Sequence, residues 1–453
     1  EGRRLLRHAL SHDDDDSVDF SVVSNRGDTA ADSDLEGFPE WQQPPTNGIT
    51  KKPKKRNHLK DLYDDEDGVD TDAYNALDAA LDLFSEKRDA TKIQAFQAIL
   101  RVLCGRVVHG KRLQFVAKAI AAQALATLKT RGLKDSGTLA LRVLAVLAVT
   151  LGPDEQPFFE SVRQPLRRLV EEDSHDPALR MEAAYALSIA SYVCCREDTQ
   201  RWVVLDVIGA QLVTAKDADD NGDFEDAFTE ELLVALIECW AFLVSGFHPS
   251  IIVPKISDPN DPLYEHVEAL AGFVREAMNP AVRSAVCEAL ALLVQDKYIV
   301  GKTLWNYAME ETNGPLGGLE SKIQRYMHET AKSIGKKNRK TQRSMLKEVL
   351  ETLRSGEGPH NDLSIGDETL SVSTWSRFFQ ASVFRRALQS GFQIHLHENA
   401  VLRDVFDVSD NANVKISMVS TVRRRADHRS KTINKRNDMS RKDARQNAFL
   451  YDD

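Results

Sequence analysis

Between residues 415 and 447, eleven basic side chains (Lys415, Arg423, Arg424, Arg425, Arg429, Lys431, Lys435, Arg436, Arg441, Lys442 and Arg445) stand against three acidic ones, Asp427, Asp438 and Asp443. Cations at that density neutralise phosphates and release the counterions condensed on them. The stretch carries +8 and the rest of the chain −18, within a net charge of −10. A body and a tail of opposite sign point to a polyanionic partner for the tail, not for the whole molecule. The ten cations from Arg423 to Arg445 are therefore the candidate residues for binding a polyanion, RNA among them.

Two smaller basic groups have the same chemistry. Lys336, Lys337, Arg339, Lys340 and Arg343 form a second patch, between Lys322, Arg325 and Lys332 on one side and Lys347 on the other. Glu329, Glu348 and Glu351 interleave with these cations, so a solvated helix face competes with a nucleic-acid footprint. Lys51, Lys52, Lys54, Lys55 and Arg56, around Pro53, have the composition of a nuclear localisation signal or a nucleic-acid patch.

Other constellations point to chemistry less well. Asp217, Asp219, Asn221 and Gly222 imitate the first half of a calcium loop, but Phe228 stands where a bidentate Glu should close the shell. The segment reads instead as an acidic surface loop. His395 and His397, beside Glu398, could share a metal if they lay on a strand, but no third ligand stands at a convincing spacing. There is no GxSxG, GxxxxGK[ST], GxGxxG or HExxH. The expectation is a protein without catalysis, cofactor, metal or small-molecule substrate.

Several elements must carry these groups. Residues 1 to about 60 are rich in Ser, Asp, Gly and Pro, with too little apolar surface to offset chain entropy, and read as disordered. From about 71 to 300, apolar residues recur at helical spacing, broken by expected loops at Gly132–Gly137, Gly152–Pro157, Asp173–Pro177, Asp217–Asp226 and Pro249–Pro262. An internal repeat sits among them. Asp176-Pro177-Ala178-Leu179-Arg180 leads into Ala183-Ala184-Tyr185-Ala186-Leu187, and Asn279-Pro280-Ala281-Val282-Arg283 leads into Ala285-Val286-Cys287-Glu288-Ala289-Leu290. In both, an Asx side chain can cap the first turn, and a Pro that has no N–H to leave unpaired follows it. Thr91 to Ile99 is a fainter third copy. Helix pairs that bury one face against the next pair are the mark of an all-α solenoid of the armadillo or HEAT kind.

Residues 319–354 read as one long basic helix or two shorter ones, with Gly335 as the break. A loop at Ser355–Gly366 precedes a compact unit bearing Trp375, Phe378, Phe379, Phe384, Phe392 and Phe406, aromatics that at helical spacing suit a core better than base-stacking platforms. The tail beyond, taken as one helix from Ile416 to Asn447, would be about 48 Å long. Its charge points in nearly every direction, so it has no face to bury on its own body and should order only on a surface of phosphates. All five cysteines lie in apolar helical runs with no CxxC pair, as buried thiols in a reducing compartment do. Adjacent Cys194 and Cys195 read as packing residues rather than as a redox pair. No run of about 18 apolar residues occurs and the charged start lacks an apolar signal region, so neither secretion nor membrane insertion is expected.

Lys340-Thr341-Gln342-Arg343-Ser344-Met345-Leu346-Lys347-Glu348-Val349-Leu350, then Trp375, then LQSGFQIHLHENAVLRDVF from Leu388 to Phe406, is similar to the C-terminal domain of the interferon-related developmental regulator family. The likeness extends back through the repeats, including Leu151-Gly152-Pro153, and spans roughly residues 70 to 450. It departs from the family pattern in the acidic insert from Asp219 to Asp226, the stretch Pro249–Pro262 and the N-terminal tail. The resemblance implies an armadillo-like protein without catalysis. It also implies either occupation of inactive ribosomes, with a C-terminal helix in the path of mRNA and tRNA, or co-regulation of transcription.

The resulting expectation has four parts: an N-terminal tail at 1–70, a helical repeat domain at 71–318, a family-specific helical domain at 319–412, and a basic helix or tail at 413–453. The protein should silence translation on the ribosome, bound to ribosomal RNA through its tail and to protein partners through the solenoid surface, with no membrane contact. The alternative is a nuclear scaffold that holds partners in the repeat groove. The cytoplasm is the expected location, with the nucleus added by the Lys51–Arg56 cluster.

Overall fold

The structure, a computed structural model, describes residues 71–408 apart from 87, 111, 131–133, 154, 174, 196, 276–277, 302–306, 311–313, 330–335 and 366–367. All of these belong to the unit Glu40–Asp453. Over the described residues the chain is an all-α solenoid with one small hairpin. Six antiparallel helix pairs follow in order: α1 (Thr71–Leu83) with α2 (Asp89–Gly105), α3 (Arg112–Leu128) with α4 (Lys134–Leu151), α5 (Gln156–Glu171) with α6 (Pro177–Cys194), α7 (Asp198–Asn221) with α9 (Glu230–Val244), α11 (Pro262–Gly272) with α12 (Pro280–Val300), and α13 (Leu319–Glu329) with α14 (Lys336–Ser355). Short α8 (Phe224–Ala227) lies between the two helices of the fourth pair, and α10 (Pro249–Ile256) joins the fourth pair to the fifth.

The repeat works through its caps. Asp176 accepts a hydrogen bond from Ala178 N at 2.9 Å and Asn279 from Ala281 N at 2.7 Å, each followed by Pro at the first helical position. Asp261-Pro262 does the same at α11, where Asp261 accepts from Leu263 N at 3.0 Å. The fifth residue of each full repeat copy also has one role. The guanidinium of Arg180 lies 4.9 Å from the Phe228 ring centre, and that of Arg283 lies 4.7 Å from the Tyr326 ring. Arg180 is 1 % exposed, and it is satisfied by Ala227 O, Gln211 Oε1 and Asp173, so one cation ties α6 to the turn before it, to α7 and to α8.

The second helices of the pairs, α2, α4, α6, α9, α12 and α14, stack in that order as one layer, and α1, α3, α5 and α7 form the other. Residues 140–149 of α4 are buried except for Arg142, and Leu232 to Ile237 and Cys239 to Val244 of α9 are all buried. A helix apolar all round has neighbours on every side. Here the further neighbour is a third layer made by α15 (Trp375–Leu388), a 3-10 turn at Gln389–Gly391, α16 (Phe392–Glu398) and α17 (Ala400–Val405).

This third layer is tied across nearly the whole array. Trp375 N donates to Gln295 on α12 at 2.8 Å, and Gln380 donates to Ser245 O after α9 at 3.1 Å. Arg386 pairs with Glu182 of α6 at 2.8 Å, Asn399 donates to Val149 O of α4 at 3.0 Å, and His395 Nε2 meets Leu103 O of α2 at 2.8 Å. The aromatics Trp375, Phe379, Phe384 and Phe406 are all buried, as the core reading of the sequence anticipates.

Four expected loops are partly ordered elements. Within Gly132–Gly137, α4 has already begun at Lys134, and Gly137 lies where a Cβ would meet Leu179 at 2.9 Å. Within Asp217–Asp226, α7 runs on to Asn221, held by Asp219 against Arg275 and by Lys216 against Asp220, and it stops where Gly222 takes φ +84°. Pro249–Pro262 contains α10, whose buried Ile252, Val253 and Ile256 outweigh Pro254 inside it. Ser355–Gly366 leads into an antiparallel hairpin, β1 (Asn361–Ile365) and β2 (Glu368–Val372), in register Asn361 to Val372 and Ile365 to Glu368. The break expected at Gly335 lies outside the described residues, and two helices flank it.

Candidate nucleic-acid interface

Of the predicted cations, the structure describes the second patch best. α14 buries Met345, Leu346, Val349 and Leu350 against α12 and α13, and its orientation is fixed at both ends. Gln342 donates to Pro280 O and Ser284 Oγ, both at 3.3 Å, at the start of α12. Trp375 Nε1 donates to Thr352 Oγ1 at 2.8 Å near the other end. The neighbour of Gln342, Arg343, therefore points away from the body and is exposed, as is Lys347 one turn on.

Neither Arg343 nor Lys347 forms an ion pair among the described residues, whereas Arg354 further along is paired with Glu320 at 2.7 Å. Lys347 and Arg354 line a shallow groove between α13 and α14 together with Gln324, Met327 and Leu350, and Glu351 adds one acid to it. Lys336, Lys337, Arg339 and Lys340 occupy the first turns of the same helix.

The ten RNA-binding candidates from Arg423 to Arg445, and Lys51, Lys52, Lys54, Lys55 and Arg56, lie outside the described residues, as does the disorder expected for residues 1–60. What the structure gives is the root of the tail. Asn399 caps α17 by accepting from Val401 N at 2.9 Å, Phe406 is fully buried, and Arg377 donates to Phe406 O at 3.2 Å and pairs with Asp407. Asp407 takes φ +49°, a left-handed conformation that Asp tolerates, and Val408 N closes back on Arg403 O at 2.9 Å. The chain is thus held firmly to residue 408, a few residues before the cations begin.

The readings that sequence weighed as metal sites find other roles. Asp217, Asp219 and Asn221 are in the last turns of α7, not in a loop. His395 and His397 lie on α16, where residues two apart point to opposite sides of a helix rather than converging as on a strand. Burial lowers His395 to about 4; its Nε2–H donates to Leu103 O, and Nδ1 accepts from Asn399 at 3.3 Å. Among the described residues no cluster of three or more His, Cys, Asp or Glu could hold a metal, and no helix is long and apolar enough to cross a membrane. Cys194 donates to Ala148 O and Cys195 to Glu197 O, two separate surroundings in which burial raises both thiols.

Sequence reading missed the inner-face ties, above all Arg386, His395 and Asn399. The signal was present in α9, which is too apolar on every side for a two-layer stack.

The sequence model described as Interferon-related developmental regulator matches residues 49–354, ending within the last turn of α14. The chain is 25 % identical over 364 residues to Interferon-related developmental regulator 2 of Mus musculus, covering 79 % of each chain. It is 22 % identical to Interferon-related developmental regulator 1 of Rattus norvegicus over 365 residues, covering 79 % of this chain and 77 % of that one. It is also 22 % identical to Interferon-related developmental regulator 1 of Homo sapiens over 369 residues, covering 80 % and 78 %.

Proposed function

Because the chain belongs to the interferon-related developmental regulator family, we propose that it is a non-enzymatic factor that associates with the ribosome and silences translation, its body docking on the ribosome and its basic tail filling the mRNA and tRNA path. The observation that carries this reading is the contrast at Val408. An acidic helical body is anchored up to that residue, and the next 45 residues hold eleven basic side chains. An RNA-walled channel offers phosphates on all sides, which suits a segment whose cations point in every direction.

The co-regulator reading needs an open repeat groove. The inner helices α4, α6, α9 and α12 already carry α15–α17, and that covering counts against a partner peptide lying there. Protein partners would instead meet the outer helices.

The test is co-sedimentation of the full chain and of a chain lacking residues 413–453 with purified ribosomes, across a salt series. Loss of association on truncation is expected. With six to eight phosphates engaged, log affinity should fall against log salt with slope of roughly −4 to −6. Undiminished association without the tail would remove the proposal.

A further inference from the structure

We propose that the exposed face of α14 is a second, folded RNA contact that reads the sugar-phosphate backbone of a double-stranded segment; this rests on the RNA-binding reading above and adds to it a surface independent of the tail. At 3.6 residues per turn, positions 336, 340, 343 and 347 fall within an arc of about 60°, rising about 16 Å along the helix. Those positions are Lys336, Lys340, Arg343 and Lys347. Spacings of four, three and four residues put these positions on one side of the helix, about one turn apart. The opposite face is buried, and Gln342 and Thr352 lock the rotation of the helix, so Arg343 and Lys347 are presented outward by packing.

The composition of that face selects the partner. The exposed positions described on α14 are Arg343, Ser344, Lys347, Glu351, Arg354 and Ser355, with no apolar or aromatic side chain among them. A folded protein partner normally needs a buried aromatic or aliphatic anchor, and none is offered. Single-stranded RNA is held by rings on which its bases stack, and these too are missing from the face. A duplex asks only for cations and hydroxyls along its backbone, which the face supplies. Other cations are spent on internal partners, as Arg275 is on Asp219 and, at the end of α14 itself, Arg354 is on Glu320. Arg343 and Lys347 are left for a polyanion.

The experiment measures binding of a 20-base-pair RNA duplex of arbitrary sequence by fluorescence anisotropy between 50 and 200 mM salt. It uses four full-length proteins: the unaltered chain, Arg343→Gln with Lys347→Gln, Arg423, Arg424 and Arg425 all changed to Gln, and the combination of both sets of changes. The first double variant should bind roughly ten- to a hundredfold more weakly, with a salt slope shallower by about 2, one for each lost phosphate contact. The tail variant should lose affinity separately, and adding the α14 changes to it should weaken it by the same further factor. Both positions are exposed, so an unchanged melting temperature separates lost contacts from lost fold. Unchanged slope and affinity in the α14 variant would overturn the inference whatever the tail does. Polyglutamate binding that falls in the Arg343→Gln, Lys347→Gln variant while duplex binding stays unchanged would overturn it in favour of a docking face for acidic protein segments. Failure of the tail truncation to affect ribosome association would strike the proposed function and leave the α14 result standing.

Discussion

The guanidinium carbon of Arg386 lies 4.1 Å from the centre of the Tyr185 ring, although 200 residues of chain separate them. The same guanidinium pairs with Glu182, and Tyr185 in turn donates its hydroxyl to Glu238 of α9. One cation of the third layer is thereby fastened to two successive inner helices. A cavity of about 100 Å³ lies beside it, lined by Arg142, Glu182, Tyr185 and Arg386.

Arg386→Ala should destabilise the protein by about 2 kcal/mol, because it strands Glu182 and removes a cation from an aromatic face. The pair is partly open to water, with side chains 30 % and 15 % exposed, so the larger cost of breaking a fully buried pair is not expected. Arg386→Lys should recover part of the loss. Urea unfolding measures both, and a change below about 0.5 kcal/mol for the alanine variant would mean that solvent already screens the pair.

Gly391→Ala should release the third layer more sharply. A Cβ there would stand 1.9 Å from Cys104 O and 2.7 Å from Cys104 C, and backbone cannot step aside as a flexible side chain can. Gly391 has φ −83°, so close approach, not backbone freedom, demands glycine. Hydrogen exchange should show α16 and α17 losing protection while α5 and α7 keep theirs, at an overall cost of more than about 2 kcal/mol. Uniform loss across all helices would show instead that the layers unfold as one.

Asp296 should give the stability curve a slope near neutral pH. It is 2 % exposed, its Oδ1 has no partner among the described residues, and burial pushes it up from 3.8 to about 7. A raised carboxyl favours the protonated folded state, so its contribution is complete below pH 3.8 and is lost as pH rises through about 7. Asp296→Asn should therefore gain on the parent by up to about 4 kcal/mol between pH 4 and pH 8. His395 and His266, both lowered to about 4 by burial, work in the other direction: their contribution is complete above pH 6.5 and is lost as pH falls toward 4. Comparing variant and parent at each pH isolates Asp296 from them. A difference that does not vary with pH would mean that Asp296 titrates normally.

Asp176→Ala and Asn279→Ala should each cost about 1 kcal/mol, the usual worth of an Asx cap. The two caps begin helices that belong to different pairs, so the double variant should lose about the sum. Thermal melts of the three variants check this, and an effect near zero at either site would mean that Pro177 or Pro280 starts the helix unaided.

Much of this was legible in the sequence. The Asx-Pro caps of α6 and α12 were readable from one dipeptide each, since a cap depends on residues within three positions of one another. The third such cap, at Asp261-Pro262, was hidden because the proline-rich stretch before it reads as loop, although buried Ile252, Val253 and Ile256 make it helical. The acidic run after Lys216 misled in the same way: its carboxylates are partly neutralised by Lys216 and by Arg275, 56 residues further on, and only the folded chain brings Arg275 to it.

By itself the sequence determined the family, the paired-helix repeat, the burial of its aromatics, and the opposite charge of body and tail, because each is written in near neighbours or in composition. Tertiary structure alone decided that α15–α17 close over the inner helices, that Gln342 turns inward and Arg343 outward, and that Asp296 is shut away from water. The reason is physical. Spacing tells which residues share a helix face, but what that face meets depends on Gln295, Glu182, Val149 and Leu103, residues brought to α15–α17 from helices up to 292 positions away in the chain.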